Sequence, residues 1–197
     1  VFSEEGFHGA SMDAVAARAG VSKPLVYAHG GSKDELFAAI VERELGRGSM
    51  ALAHFFGRPQ NILMACKGDQ IERYLLPAVR GERMDALAMT EPDAGSDVAG
   101  LKTRARRDGD HWVINGAKMF ITNAVYGDIL IVAARTDPHA KGSRGISLFI
   151  VERDTPGITA TKLDKHGWLC SDTAELGFQE VGIADCDLSA AEPRLVE

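Results

Sequence analysis

The sequence predicts an α+β protein, with an all-α helix-turn-helix segment at the N-terminus followed by a mainly-β domain. Three observations carry this. Residues 1–45 place apolar side chains at helical spacing behind capping residues. After about residue 100, short apolar runs alternate with turn dipeptides instead. Between the two, "GRGSM" is small and polar, so residues 46–59 read as a linker or junction.

In "SMDAVAARAG", Ser11 is the expected N-cap, Met12, Val15, Ala16 and Ala19 share one face, and Gly20 is the expected C-terminal cap. "SKPLVYAH" restarts with Ser22 as cap and Pro24 in the first turn, where proline is tolerated. "SKDELFAAIVEREL" opens a third helix, with Ser32 and Glu35 spaced as a capping box. Its apolar stripe is Leu36, Phe37, Ile40 and Val41. Further on, "DGDHWVINGAKMFITN" contains two turn signals, Asp108-Gly109 and Asn115-Gly116, and the second predicts a hairpin. "DILIVAAR" and "GISLFIVE" read as strands, and "DTPG" (Asp154–Gly157) closes the latter.

At 197 residues, 45% hydrophobic and 25% charged, the chain is ordinary globular material. No apolar run is long enough to span a membrane, and no secretory leader is visible, so a cytoplasmic location is expected. Cys66, Cys170 and Cys186 show no CxxC spacing and are expected as reduced, partly buried thiols. No metal site is expected. The net charge of -6 divides as -2 over residues 1–50 and -4 over the rest, so any nucleic-acid contact needs a local patch.

The two short helices joined through Ala19-Gly20-Val21 suit a helix-turn-helix, whose second helix enters the major groove. By spacing alone, a plain helical bundle fits equally well. "GFHGASMDAVAARAGVSKPLVYAHGGSKDELFAAIVERE" resembles the DNA-binding segment of TetR-type transcriptional regulators over residues 1–45. The resemblance implies DNA contacts, mainly to phosphates, by Ser11, Lys23, Tyr27, His29 and Lys33. Two departures stand out. The first helix is cut to "VFSEEGF", and Gly30-Gly31 stands where the family has a large apolar anchor after His29. Losing such an anchor costs about 3–5 kcal/mol. Weak, salt-sensitive DNA binding is therefore expected.

"LAMTEPDAGSD" (Leu87–Asp97) poses a different chemistry. Pro92 stiffens the turn, Gly95 permits close approach, and Thr90, Ser96 and Asp97 offer polar groups or a helix cap. Such a loop suits a cofactor with a polar ring edge and a phosphate, although on spacing alone the plain surface turn is the favoured reading. With "NGAKMFITN" about 30 residues later, and with "GISLFIVERDTPG" and "LDKHGWLCSDTAELGFQEVGI", residues 60–190 closely resemble the middle domain of acyl-CoA dehydrogenases. "DQIERYLLPAVRGE" resembles the helix that leads into it. The resemblance implies a β-barrel-like domain, residues 60–197, that holds FAD and one side of an acyl-CoA.

By position, Leu87, Met89, Thr90 and Ser96 line the flavin from the first loop, and Phe120, Ile121 and Thr122 from the second. Phe120 stands where the family often has Trp, and Ser96 also neighbours the substrate. His139, Lys141 and Arg144 in the loop Asp137–Arg144 are candidates for CoA phosphates, against the plainer reading of a solvated loop. The resemblance also implies a homo-oligomer. Its catalytic base, a carboxylate that takes the α-proton, belongs to a helical C-terminal domain, and no Asp or Glu here matches it. No catalytic residue is therefore assigned. Three accounts stay open: an incomplete flavoenzyme, a DNA-binding regulator with a flavin or acyl-CoA sensor, or two gene products joined in one chain.

Overall fold

A computed structural model describes residues 1–48, 60–169, 171–184 and 188–189. Contacts divide the chain into two units, Val1–Gly57 and Arg58–Glu197.

The first unit holds four helices: α1 (Phe2–Gly9), α2 (Met12–Ala19), α3 (Lys23–Gly30) and α4 (Lys33–Gly48). Local chemistry sets their ends. Ser11 Oγ accepts from the Ala14 amide at 3.0 Å. Gly20 takes the left-handed conformation, φ 68°, and its amide reaches back to the carbonyls of Ala16 and Ala17. The expected capping box is complete, with Glu35 N–H donating to Ser32 Oγ (3.2 Å) and Ser32 N–H to Glu35 Oε2 (2.7 Å). Ser22 precedes α3 but makes no side-chain cap bond.

The small core gathers Ala10, Met12 and Ala16. Beside it, Phe37 meets Phe2 and Phe7 at ring-centroid distances of 5.3 and 5.1 Å. The predicted stripe on α4 is buried only in its first half: Leu36 and Phe37 are half-buried, whereas Ile40 and Val41 are exposed. α4 itself runs to Gly48, so three residues of the expected junction are helical, and residues 49–59 lie outside the described residues.

The second unit opens with a 3-10 turn (Asn61–Ala65) and a π-turn (Ile71–Leu75) that runs into α5 (Leu76–Val79). A mixed eight-stranded sheet follows: β1 (Asp85–Ala88), β2 (Arg104–Asp108), β3 (His111–Thr122), β4 (Ile129–Arg135), β5 (Ile146–Glu152), β6 (Ile158–Lys162), β7 (Thr173–Ala184) and β8 (Leu188–Ser189). The hydrogen-bonded order is β6-β7-β3-β2-β4-β5-β8, with β1 parallel to β4. The sheet curls into half a barrel, so the α+β class holds and the barrel is an open one.

β4 explains why its sequence is uniformly apolar. Leu130, Val132 and Ala134 face one core with Phe149, Val151 and Leu176. Ile129 and Ile131 face a second core with Ile62, Leu63, Cys66 and Tyr74 from the helical lead-in. A strand covered on both faces reads as a continuous apolar run. Cys66 is free and buried, and burial pushes its thiol pKa up. Cys170 and Cys186 lie outside the described residues.

The Asp108-Gly109 turn is present, because β2 ends at Asp108 and β3 begins at His111. The Asn115-Gly116 hairpin is not, since both residues lie inside the continuous strand β3. Two distant partners explain this. Asn115 is held across the sheet by β7: Glu180 N–H donates to Asn115 Oδ1 (3.0 Å), and Asn115 Nδ2 donates to Glu180 Oε1 (2.7 Å). β7 carries one extra residue there, with Glu180 in the left-handed region at φ 49°. Gly116 is a close-approach position, where a Cβ would stand 2.5 Å from Thr103 Oγ1 and 2.7 Å from Thr103 Cα. Here Asn-Gly serves a bulge rather than a turn.

Candidate functional site

The Thr-Glu-Pro segment follows β1 directly. Glu91 and Ala94 exchange backbone hydrogen bonds (2.9 and 3.2 Å) around Pro92-Asp93, a tight turn as expected. The second half of the loop enters only a single 3-10 turn, Val98–Gly100, and Asp97 makes no side-chain cap bond to it.

A buried ion pair ties this loop to β3. Glu91 is 5% exposed and Lys118 is 1% exposed. Lys118 Nζ donates to Glu91 Oε1 (2.9 Å) and to the Met89 carbonyl (3.0 Å). The Glu91 carboxylate also accepts the amides of Thr103 (2.9 Å) and Lys102 (2.6 Å). Burial pushes the Glu91 pKa up, but hydrogen bonds from Thr103, Lys102 and Lys118 outweigh it and hold the carboxyl below its usual range. Burial lowers the Lys118 pKa, and Glu91 opposes that shift.

Beside this pair β3 bulges. Lys118 pairs with Leu176 and Ile121 with Ala174, so β3 spends three residues where β7 spends two. The extra residue frees the Met119 amide from the ladder, and it donates instead to the Thr90 carbonyl at 2.9 Å. Phe120 is turned outward, 64% exposed, in the left-handed region at φ 60°. A bulky residue there stores about 1–3 kcal/mol of strain. One residue past β3, Asn123 Nδ2 donates to the Asp85 carbonyl at 3.1 Å, so the two segments are tied at both ends. Asn123 Oδ1 is buried and has no partner.

The expected flavin residues distribute unevenly. Thr90 and Thr122 are half-buried, Thr122 pairs with Thr173 at the strand end, and Phe120 stands beside them on the bulge. Leu87 and Met89 line an apolar cavity of about 480 Å³ together with Gln60, Ile62, Met64, Ala65 and Leu148. Ile121 is turned into the core, so its backbone alone is left for a ligand. Ser96 is exposed at the far end of its loop, and no described residue bonds its hydroxyl or those of Thr90 and Thr122. His139, Lys141 and Arg144 are exposed on the surface loop before β5. The sequence reading gave no role to Glu91 or Lys118, although each sits inside a quoted motif. Neither motif singles them out, since Lys118 is one lysine in a strand and Glu91 is one of three acids in its loop.

In the first unit, Tyr27 and His29 are exposed on α3. Lys23 is paired with Asp13 at 2.8 Å, which raises its pKa. Lys33 Nζ lies 4.7 Å from the Phe7 ring centroid and 3.5 Å from the His8 carbonyl. Ser11 Oγ serves as the α2 cap. Of the side chains on α3, only Val26 is even half-buried, so the helix is thinly anchored. No helix among the described residues is long and apolar enough to cross a membrane.

Residues 86–181 match the family model "Acyl-CoA dehydrogenase, middle domain". Residues 1–40 match "Bacterial regulatory proteins, tetR family". The mitochondrial isovaleryl-CoA dehydrogenase of Pongo abelii is 41% identical over 179 residues, which cover 87% of this chain and 41% of that protein. An acyl-CoA dehydrogenase structure from Geobacillus kaustophilus aligns with a TM-score of 0.71 at 40% identity, covering 78% of this chain and 42% of that one. A glutaryl-CoA dehydrogenase from Mycobacterium smegmatis in complex with FADH2 aligns with a TM-score of 0.70 at 32% identity, covering 81% and 41%. The chain thus spans less than half the length of these relatives.

Proposed function

With residues 86–181 matching the middle domain of acyl-CoA dehydrogenases, we propose that the second unit forms one wall of a flavin site, for FAD, in an α,β-dehydrogenation of acyl-CoA. The observation that carries the reading is the bond between Met119 N–H and the Thr90 carbonyl beside an outward-turned Phe120. It links the two expected loops, and among the described residues the hydroxyls of Thr90 and Thr122 have no partner, which supports a shared ligand. These groups fit an isoalloxazine, which offers a flat face to stack and a polar edge to bond. Phe120 would stack on the ring, and Thr90 and Thr122 would bond its edge. Met89 would exclude water from its apolar side. A bound flavin supplies a hydride acceptor for the substrate β-carbon. The α-proton needs a carboxylate base, for which the sequence offers no match.

Titration of the purified chain with FAD, followed by flavin fluorescence and visible-region circular dichroism, tests this. Saturable quenching with an induced dichroic band is expected, and Phe120→Ala should weaken it. An absence of any spectral change at millimolar FAD would refute the reading.

A second reading, DNA binding by the first unit, rests on the α2–Gly20–α3 geometry together with the regulator match. Gel shifts at two salt concentrations test it. Weak retardation that falls with salt is expected, because counterion release dominates such contacts. Tight, sequence-selective retardation at physiological salt would favour a regulator whose sensor is the second unit.

A further inference from the structure

We propose that the buried Glu91–Lys118 pair is a positioning pair for the flavin wall, setting where Thr90 and Phe120 stand without touching the ligand itself. The proposal rests on the flavin reading above. Lys118 is 1% exposed, so it acts only through its neighbours.

The pair satisfies backbone groups that the sheet does not. The Met89 carbonyl takes its proton from Lys118, and the amides of Lys102 and Thr103 give theirs to Glu91. Buried backbone groups need partners, and here side chains supply them at both ends of the loop. Thr90 is therefore bracketed. Its predecessor is held by Lys118, its successor carries the carboxylate, and its own carbonyl is held by Met119. Met119 in turn links Lys118 to the strained Phe120. Moving either charge moves the Thr90 backbone and the bulge together.

An ion pair is a poor choice if stability alone matters here. Well-packed apolar residues of similar volume often match or exceed a buried pair in stability. Apolar side chains could not hold the three backbone groups, though, and the loop would then lose its fixed path past β3.

The test uses the full chain and FAD as probe, with Glu91→Gln, Thr90→Ala and the combination of both. Folding is followed by far-UV circular dichroism and affinity by flavin fluorescence. Glu91→Gln keeps the volume and some hydrogen bonding but loses the charge. It should fold, weaken FAD about tenfold or more, and alter the visible dichroism of the bound flavin. Thr90→Ala should weaken FAD in the native background and add nothing in the Glu91→Gln background, because the hydroxyl is already misplaced there. A pair that only stabilises the fold would give multiplicative effects and an unchanged dichroic band.

If Glu91→Gln does not fold, Glu91→Gln with Lys118→Gln leaves no uncompensated charge and carries the same test. A folded variant with native affinity and dichroism would overturn the proposal. So would multiplicative effects, or failure of both variants to fold. A native chain that does not bind FAD sinks the flavin reading itself. A native chain that binds while the variants behave natively sinks only the positioning role.

Discussion

Gly116→Ala separates the two readings of the Asn-Gly pair. In a hairpin turn the change would cost about 1 kcal/mol, the usual price of a side chain at positive φ. In the structure the new Cβ would stand 2.5 Å from Thr103 Oγ1, 2.8 Å from its Cβ and 2.7 Å from its Cα. Overpacking of this kind costs about 1–3 kcal/mol, and a backbone atom among the clashes puts the expectation in the upper half. For a unit of this size, that lowers Tm by about 5–10 °C. Trp112 and Trp168 both lie in the second unit, so tryptophan fluorescence on heating reports that unit without the helices. Thr103→Ala should not rescue the variant, because Thr103 Cα would remain in the way. A Tm loss under 2 °C, or full rescue by Thr103→Ala, would refute the close approach.

Phe120→Gly should raise Tm by releasing the left-handed strain while weakening FAD binding, a pairing checked by melting and titration of one sample. Burial raises the Glu152 pKa, but the guanidiniums of Arg83 and Arg73 outweigh this and depress it below the usual carboxylate range. Its contribution to stability is therefore present above about pH 4.5 and lost as pH falls through the folded value. Glu152→Gln should flatten the acid limb of a urea-stability profile between about pH 3 and pH 6, roughly one and a half units either side of the ordinary carboxylate value. Gly30→Ala should stabilise the helical unit by about 0.5–1 kcal/mol, since it removes a helical glycine. The new Cβ would meet only the Leu36 side chain, most closely its flexible Cδ1 at 3.0 Å. Far-UV urea melts would show the gain, and a loss would mean that Leu36 cannot yield.

What the sequence disclosed depended on how far apart the interacting residues are. The Ser11 cap, the Ser32–Glu35 box and the Gly20 terminus use partners within a turn or so of chain, and each is formed as read. The Asp108-Gly109 turn is local in the same way. Asn115-Gly116 carries the same local signal but is decided elsewhere, by Thr103 packed against its glycine and by Glu180, 65 residues on, bonded to its asparagine. The apolar stripe of α4 is covered only in part for a related reason. Spacing shows which residues share a face, but not how much of that face the rest of the unit covers, and Ile40 and Val41 remain exposed.

The candidate site follows the same rule at one remove. Thr90 and Phe120 are candidates because each sits in a compact motif. Nothing in either motif shows that Glu91 and Lys118, 27 residues apart, form the buried pair that joins them. Neither residue carries a perturbation readable from spacing, since a lone lysine in a strand and a glutamate in a turn both pass for solvated surface. Their burial becomes visible only when β3 is laid against the loop, beside the bulge at Phe120. Met119, freed from the ladder by the bulge, donates to the Thr90 carbonyl, and Phe120 beside it is turned outward. The exposed aromatic and the buried charges are thus one structural feature. Under the positioning proposal, a ligand that stacks on the ring would depend on the ion pair behind it.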